Sequence, residues 1–291
     1  MPIDIHERSF DTGVVTINYA EGPPSGPPLV LLHGGSARWQ SFEVIIPDLA
    51  TRWHLYAPDF RGHGKSGRVP GSYRFQDYAD DTIAFLRQRI TEPALLFGQS
   101  LGGMIVLLVA AQCPDWVRAV VVGDAPLTRE TLHVQLDPSR ERLAAWRDLA
   151  GGRLSIDEVA EALKDTPVEV PGKAAPVPMR EARGEDAPVF SWLATNLYYN
   201  DPDMITALLD DFETTVAGYE MDEVLPAIRC PVLLLQADPD CGGLMTDAGV
   251  ERALSLLAQP RHVRLERVDH PLFNERKEPA LRAIVDFFES L

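Results

Sequence analysis

Short apolar runs recur along the chain at intervals that leave room for a helix between each pair. Leu29-Val30-Leu31-Leu32, Ala94-Leu95-Leu96-Phe97 and Val232-Leu233-Leu234-Leu235 show no polar alternation, the pattern of strands buried on both faces. Val14 to Tyr19, His54 to Ala57, Val117 to Val122 and His262 to Val268 read as further strands, rich in β-branched residues and bounded by turn signals. Between them, Trp39 to Ala50 reads as helical, and Gln76 to Ile90 carries Tyr78, Ile83, Phe85, Leu86 and Ile90 at helical spacing. Leu101 to Cys113 is apolar all round and therefore predicts a central helix. Asp247 to Ala258 is a further helix, and Leu281, Ile284, Val285 and Phe288 mark a last amphipathic one. Strands alternating with helices across short connections predict a mostly parallel sheet covered on both faces.

The alternation stops between about Leu127 and Leu225, where several helices and no convincing strand are expected. Ser155-Ile156-Asp157-Glu158 is a capping-box signature, and Asp201-Pro202 opens another helix with proline at a tolerated position. Pro167, Pro171, Pro176, Pro178 and Pro188 mark an irregular stretch between them. The expected organisation is an α/β core in two parts, residues 1–126 and 226–291, interrupted by a helical insertion over 127–225.

Composition narrows the classes of function. The 291 residues are 45% hydrophobic and 24% charged, an ordinary globular balance. Acidic residues number 43 against 27 basic ones, a formal charge of -16 that disfavours phosphate backbones and anionic lipid, so no nucleic-acid and no membrane partner is expected. Residues 1–10 are polar and alternating, without the apolar core of a signal peptide, and no run approaches the roughly 18 apolar residues of a membrane span. Cys113, Cys230 and Cys241 are odd in number and widely spaced, which suggests neither a disulfide framework nor a zinc site. A cytoplasmic protein is the expectation, and the oligomeric state is unknown.

The chemistry concentrates in Gly98-Gln99-Ser100-Leu101-Gly102-Gly103, a G-x-S-x-G sequence set between a buried strand and a buried helix. Driving a strand straight into a helix strains the central residue, and flanking glycines remove the side chains that would clash. The Ser100 hydroxyl then projects at the helix N-terminus, where the Leu101 N–H is free to donate to a developing oxyanion. A serine needs a base, and of seven histidines His270 is the best placed, after the last strand and C-terminal to the serine.

Together His33-Gly34-Gly35, Asp59-Phe60-Arg61-Gly62-His63-Gly64-Lys65-Ser66, the serine elbow and the late His270 resemble the α/β-hydrolase fold superfamily over about two thirds of the chain. The resemblance implies an α/β-hydrolase fold in which the insertion is a helical cap. It also implies that the Gly35 N–H completes the oxyanion hole with that of Leu101. His33 and His63, by their place in turns, read as residues that orient loops.

The acid that orients the histidine has three candidates. The position most usual in the superfamily, after the strand that follows the insertion, falls on Asp240, with Asp238 two residues earlier. However, Asp238-Pro239-Asp240-Cys241 departs from the usual glycine-then-acid turn. The other known position ends the strand beside the nucleophile strand and falls on Asp124. The segment from Val120 through Leu127-Thr128 resembles zearalenone-type lactone hydrolases, whose acid at that place is a glutamate. An aspartate directly after an apolar strand needs a partner, so Asp124 is preferred over Asp240 and Asp238.

Gly62 to Gly67 matches G-x-G-x-x-G, but Arg68-Val69-Pro70-Gly71 cannot open the helix that motif needs. Gly64-Lys65-Ser66 matches the end of a P-loop, but Asp59 stands where its first glycine should be, so both read as turn chemistry. No metal or cofactor is implied. Trp146, Trp192, Leu193, Leu197, Tyr198 and Tyr199 of the insertion read first as packing, with an apolar pocket over the serine as the alternative. The function expected is a serine hydrolase that cleaves a carboxylic ester or lactone of a hydrophobic small molecule through an acyl-enzyme. Its alternatives are hydrolysis of a carbon–carbon bond in a ring-fission product with the same residues, or a receptor that binds a ligand without turnover. Dehalogenation or epoxide hydrolysis, by resemblance, would want a carboxylate where Ser100 stands.

Overall fold

Apolar runs without a polar face must be covered on both sides, and in the computed structural model of the chain each lies between two layers of helix. The structure describes residues 4–168, 170, 173, 175–274 and 276–291; Pro171 lies outside them. The strands are β1 (His6–Asp11), β2 (Thr16–Glu21), β3 (Pro28–Leu32), β4 (His54–Pro58), β5 (Ala94–Gln99), β6 (Val117–Gly123), β7 (Pro167–Val168), β8 (Val177–Pro178), β9 (Val232–Ala237) and β10 (Pro260–Leu265). The helices are α1 (Ile46–Leu49), α2 (Phe75–Arg89), α3 (Leu101–Gln112), α4 (Arg129–Leu136), α5 (Arg140–Leu149), α6 (Ile156–Leu163), α7 (Met179–Arg183), α8 (Val189–Tyr199), α9 (Pro202–Asp210), α10 (Phe212–Thr215), α11 (Met221–Ala227), α12 (Asp247–Leu256) and α13 (Lys277–Glu289). Among the described residues one sheet has eight strands in the order β1-β2-β4-β3-β5-β6-β9-β10. The β1–β2 and β2–β4 pairings are antiparallel and all the others parallel.

Strand alternation sorts the core into two halves. Val30, Leu32, Leu96, Val120, Val122 and Leu234 face one side, with α2, α3, α11 and α12. Leu29, Leu31, Leu95, Phe97, Val121, Leu233 and Leu235 face the other, with α1 and α13. The segment 127–225 divides as well. Val159, Leu163, Phe190, Leu193 and Leu197 form a satellite cluster of their own, whereas Met204, Ile205, Leu209, Tyr219 and Val224 join the larger core beside α3. Among the described residues no helix is long and apolar enough to cross a membrane. Cys113, Cys230 and Cys241 are free thiols.

Three elements differ from the sequence expectation. The strand β1 falls in the polar start of the chain; it is an edge strand whose only buried side chain is Phe10, so its backbone pairing with β2 carries it. Trp39 to Ala50 is not one helix but a 3-10 turn over Trp39–Phe42 followed by α1, because Pro47 restarts the helix in its first turn. Within the segment expected to lack strands, β7 and β8 pair antiparallel over two residues each.

The loop after β4 is held by a buried ion pair. Arg61, 3% exposed, donates from Nε and Nη2 to the two oxygens of Asp81 on α2 at 2.6 and 2.8 Å, and from Nη1 to the Ser72 carbonyl at 3.0 Å. Removing one member leaves a guanidinium in a site that cannot solvate it. Asp81→Ala is therefore expected to cost about 3–5 kcal/mol of stability, read by urea unfolding at neutral pH. A loss below about 1 kcal/mol would show that Asp77, 3.9 Å from Arg61, takes over the pairing.

Candidate functional site

Ser100 is the hinge between β5 and α3, with φ 55° and ψ -118°, outside the regions an L-residue prefers. The glycines around it are required by contact. A Cβ on Gly98 would stand 2.1 Å from the Gly102 carbonyl oxygen, and one on Gly102 2.1 Å from that of Leu32. A Cβ on Gly103 would stand 2.8 Å from the Ala125 Cβ. The turn is fixed from both sides: Ser100 N–H donates to the Gly123 carbonyl at 2.9 Å and Gly102 N–H to the His33 carbonyl at 3.1 Å.

Asp124 follows β6 and is fully buried with φ 39°. Its Oδ1 accepts from the N–H groups of Ala237 and Met245, each at 3.1 Å, and its Oδ2 from Leu244 N–H at 2.8 Å and His270 Nδ1 at 2.7 Å. Four donors fill the lone-pair positions of a carboxylate. Because the carboxylate only accepts, His270 Nδ1 carries the proton in this contact, which in the neutral ring makes Nε2 the lone-pair nitrogen. The second tie to the serine turn is the Gln99 side-chain amide, which donates to the His270 carbonyl at 2.9 Å. Among the described residues no direct hydrogen bond joins Ser100 to the imidazole; such contacts are often long without substrate.

The two other candidate acids are engaged elsewhere. Asp238 accepts from Arg267 N–H at 2.8 Å and Asp240 N–H at 3.2 Å, capping its own turn, and Asp240 is exposed. The Arg267 and Asp240 N–H groups hold the Asp238 carboxyl below the usual range, as expected for a turn carboxylate. His270 thus meets Asp124 and neither Asp238 nor Asp240.

The loop after β3 is set by two buried histidines. Phe60 N–H donates to His33 Nε2 at 3.1 Å, so His33 Nδ1 bears the proton and donates to the Gly34 carbonyl at 2.7 Å. Ser36 N–H donates to His63 Nε2 at 3.3 Å, and His63 Nδ1 donates to the Arg61 carbonyl at 3.0 Å. In a trans peptide C=O and N–H point opposite ways, so anchoring the Gly34 carbonyl to the ring turns the Gly35 N–H away from it. Gly34 itself sits on the serine, since a Cβ there would lie 3.3 Å from the Ser100 Cβ. Gly35 is exposed and a Cβ there would meet nothing within 4 Å. The N–H groups of Gly35 and Leu101 donate to no other described residue.

Asp59 completes the frame. It accepts from Trp39 N–H at 2.7 Å, Asn18 Nδ2 at 2.8 Å and Lys65 N–H at 3.1 Å. The glycine-rich turn closes around it, with Gly62 N–H on the Gly67 carbonyl at 2.9 Å; a Cβ on Gly64 would stand 2.2 Å from the Asp59 carboxylate. The G-x-G-x-x-G match is thus a wrapping for a carboxylate, and Lys65 pairs with Glu7. The aromatic residues of the insertion mostly pack. Leu193 and Leu197 lie in the satellite cluster, Trp146 lies under the Arg142 guanidinium, Tyr198 and Tyr199 meet edge to face, and Trp192 is exposed. Sequence reasoning missed Gln99, whose position beside the serine was the available signal, and Arg38, which donates from Nε to Asn196 Oδ1 at 2.8 Å across to α8.

Burial holds His33 down to about 4 and His63 to about 3, and pushes Asp59 up to about 6 against its hydrogen bonds. Both histidines stay neutral in the fold but protonate when it opens, so the stability they confer is present above pH 6.5 and is lost as pH falls toward 3–4. Asp59 acts oppositely between pH 6 and 4, binding a proton in the fold and releasing it on unfolding. At pH 5 the histidines take up two protons against the one Asp59 gives back, so the trio still makes acid destabilising. His63→Gln is expected to remove about one proton from the uptake at pH 5, lowering the slope of unfolding free energy by about 1.4 kcal/mol per pH unit. An unchanged slope would mean that His63 already titrates normally in the fold.

The chain is 38% identical over 117 residues to the 2-(acetamidomethylene)succinate hydrolase of Mesorhizobium japonicum, covering 40% of this chain and 42% of that protein. It is 28% identical over 151 residues to a haloalkane dehalogenase of Bradyrhizobium diazoefficiens, covering 50% and 49%. The aligned stretches thus span about half or less of these curated relatives. In three dimensions the crystal structure of E-2-(acetamidomethylene)succinate hydrolase superposes with a TM-score of 0.74 at 23% identity, over 98% of this chain and 100% of that one. The sequence model of the α/β hydrolase fold matches residues 27–240, most of the length and all of the serine turn, and the chain belongs to the α/β hydrolase family.

Proposed function

We propose that the protein is a serine hydrolase that cleaves a carboxylic ester or lactone of a small molecule by way of an acyl-enzyme. The observation that carries the reading is the buried Asp124 carboxylate on His270 Nδ1, which leaves Nε2 as the only free basic position of the ring. In the reaction His270 Nε2 takes the proton of Ser100 Oγ as that oxygen adds to the substrate carbonyl. The negative charge passing to the carbonyl oxygen is met by the N–H groups of Gly35 and Leu101, fixed before substrate arrives. The imidazolium, stabilised by Asp124, gives its proton to the departing alkoxide, and the acyl group stays on Ser100. Water then adds to the acyl carbon, yields its proton to His270, and the serine oxygen leaves as the hydroxyl. A lactone follows the same course with the alcohol still tethered to the acid.

A hydroxyl at position 100 favours acyl transfer over displacement of a halide, which needs a carboxylate nucleophile. The named activity of the hydrolase relative, on an acetamido compound, supports a carbonyl substrate. The side chains of the insertion read as a possible apolar wall are largely taken up in packing, so support for the ester or lactone rests on the reacting atoms.

Two variants test this. Ser100→Ala should lower kcat/KM on 4-nitrophenyl esters by at least about 10⁴-fold and abolish labelling by a fluorophosphonate; unaltered turnover would overturn the reading. Gly35→Ala should fold with an unchanged Tm, since its Cβ meets no protein atom, yet lower kcat by crowding the approach of the substrate carbonyl to that N–H. Full activity in that variant would place the oxyanion elsewhere.

A further inference from the structure

We propose that Arg38, with the side-chain amide of Asn196, forms a subsite for a carboxylate carried by the substrate. This rests on the serine-hydrolase reading and specifies its substrate as the ester or lactone of a molecule that also bears an anionic group.

Arg38 stands three residues beyond Gly35, where the oxyanion loop ends and the 3-10 turn begins. Its Nε is committed to Asn196 Oδ1, and none of the ion pairs among the described residues includes it. Asp59 feels its charge, but the Asp59 oxygens are taken by Trp39, Asn18 and Lys65, so the outer face of the guanidinium keeps its donors. Asn196 is fully buried and its Nδ2 has no partner among the described residues. A buried amide donor left unpaired is costly, and that of Asn196 lies beside a half-buried cation on the loop that holds Gly35.

A planar carboxylate meets that set of donors, one oxygen on the guanidinium and one on an amide. A chain of formal charge -16 repels anions in general, so an anionic substrate needs a dedicated cation at the site. A water could satisfy one amide, but it gives no reason to place an arginine without a carboxylate partner at the edge of the loop.

The test compares mono-4-nitrophenyl glutarate and adipate with 4-nitrophenyl pentanoate and hexanoate. The wild-type protein should favour the anionic esters in kcat/KM. Arg38→Met should lower the anionic-to-neutral ratio by about ten- to a hundredfold, through KM, the loss of one charge-assisted pair. Asn196→Asp separates recognition from architecture: it keeps an acceptor for Arg38 Nε but sets a negative charge in the subsite, so it should lower the same ratio. No wild-type preference, or a ratio unchanged in both variants, would overturn the proposal and make Arg38 a strut between loop and α8. Calorimetric binding of glutarate decides the point without turnover. Binding at least tenfold tighter to wild type than to Arg38→Met supports the subsite even if no ester is cleaved; equal binding overturns it whatever the esters show.

Discussion

The geometry of the site depends on a carboxylate that water cannot reach. Asp124 sits at the end of β6 with no exposed surface, a position an ionised group keeps only if every lone pair has a donor. Three of its four donors are backbone N–H groups from the end of β9 and the loop beyond, and the fourth is His270. One side chain therefore joins two neighbouring strands and fixes the imidazole that follows a third. Exchanging the carboxylate for an amide would set an N–H₂ group against at least one of these donors, so the acid cannot be softened without loosening the loop.

Strain is distributed in the same place. Among the described residues the non-glycine positions with positive φ are Ser36, Ser100, Asp124 and Arg267. They follow the ends of β3, β5, β6 and β10, all on the edge of the sheet from which the loops of a parallel arrangement emerge. Each costs of order 1–3 kcal/mol relative to a relaxed residue, and each is held by surroundings that over-determine it. Ser100 is held by Gly123 and the first turn of α3, Ser36 by His63, Asp124 by the Leu235 carbonyl accepting its N–H at 2.9 Å, and Arg267 by Asp238. Preorganisation here is a backbone property, made possible by a rigid apolar sheet underneath.

Much of this was legible in the sequence because it is local. The apolar runs from Leu29, Ala94 and Val232 have one physical solution, and Ser100 between Gly98 and Gly102 marks a turn that larger residues would break. The capping box at Ser155 and the helix opening at Asp201-Pro202 likewise depend on neighbours within four residues. The choice among Asp124, Asp238 and Asp240 was not legible in that way. All three follow strand ends, and what separates them is whether distant N–H groups converge on the carboxylate, a fact of sheet order. β1 escaped for a related reason, since a polar edge strand needs only the backbone of β2. Arg38 and Asn196, 158 positions apart, carry no mutual signal in one sequence.

The same distinction between local and distant contacts describes how the insertion meets the core. Its seam with the sheet-end loops is polar at many points. Arg68 donates to the Gly151 and Tyr199 carbonyls at 3.3 and 3.2 Å, Tyr73 Oη to Asp201 at 2.6 Å, Gly71 N–H to Asp203 at 2.6 Å, and Asp201 N–H to the Gly62 carbonyl at 2.7 Å. Apolar contact would give affinity without direction, whereas hydrogen bonds of this kind fix register. The loop carrying Asp59 and His63 is the common member: it accepts the insertion on one side and sets Ser36 and Trp39 on the other. A displacement of α8 would therefore reach the loop after β3 by two routes, through Arg38 and through the 59–73 loop, so the insertion and the loops at the sheet end are mechanically one unit.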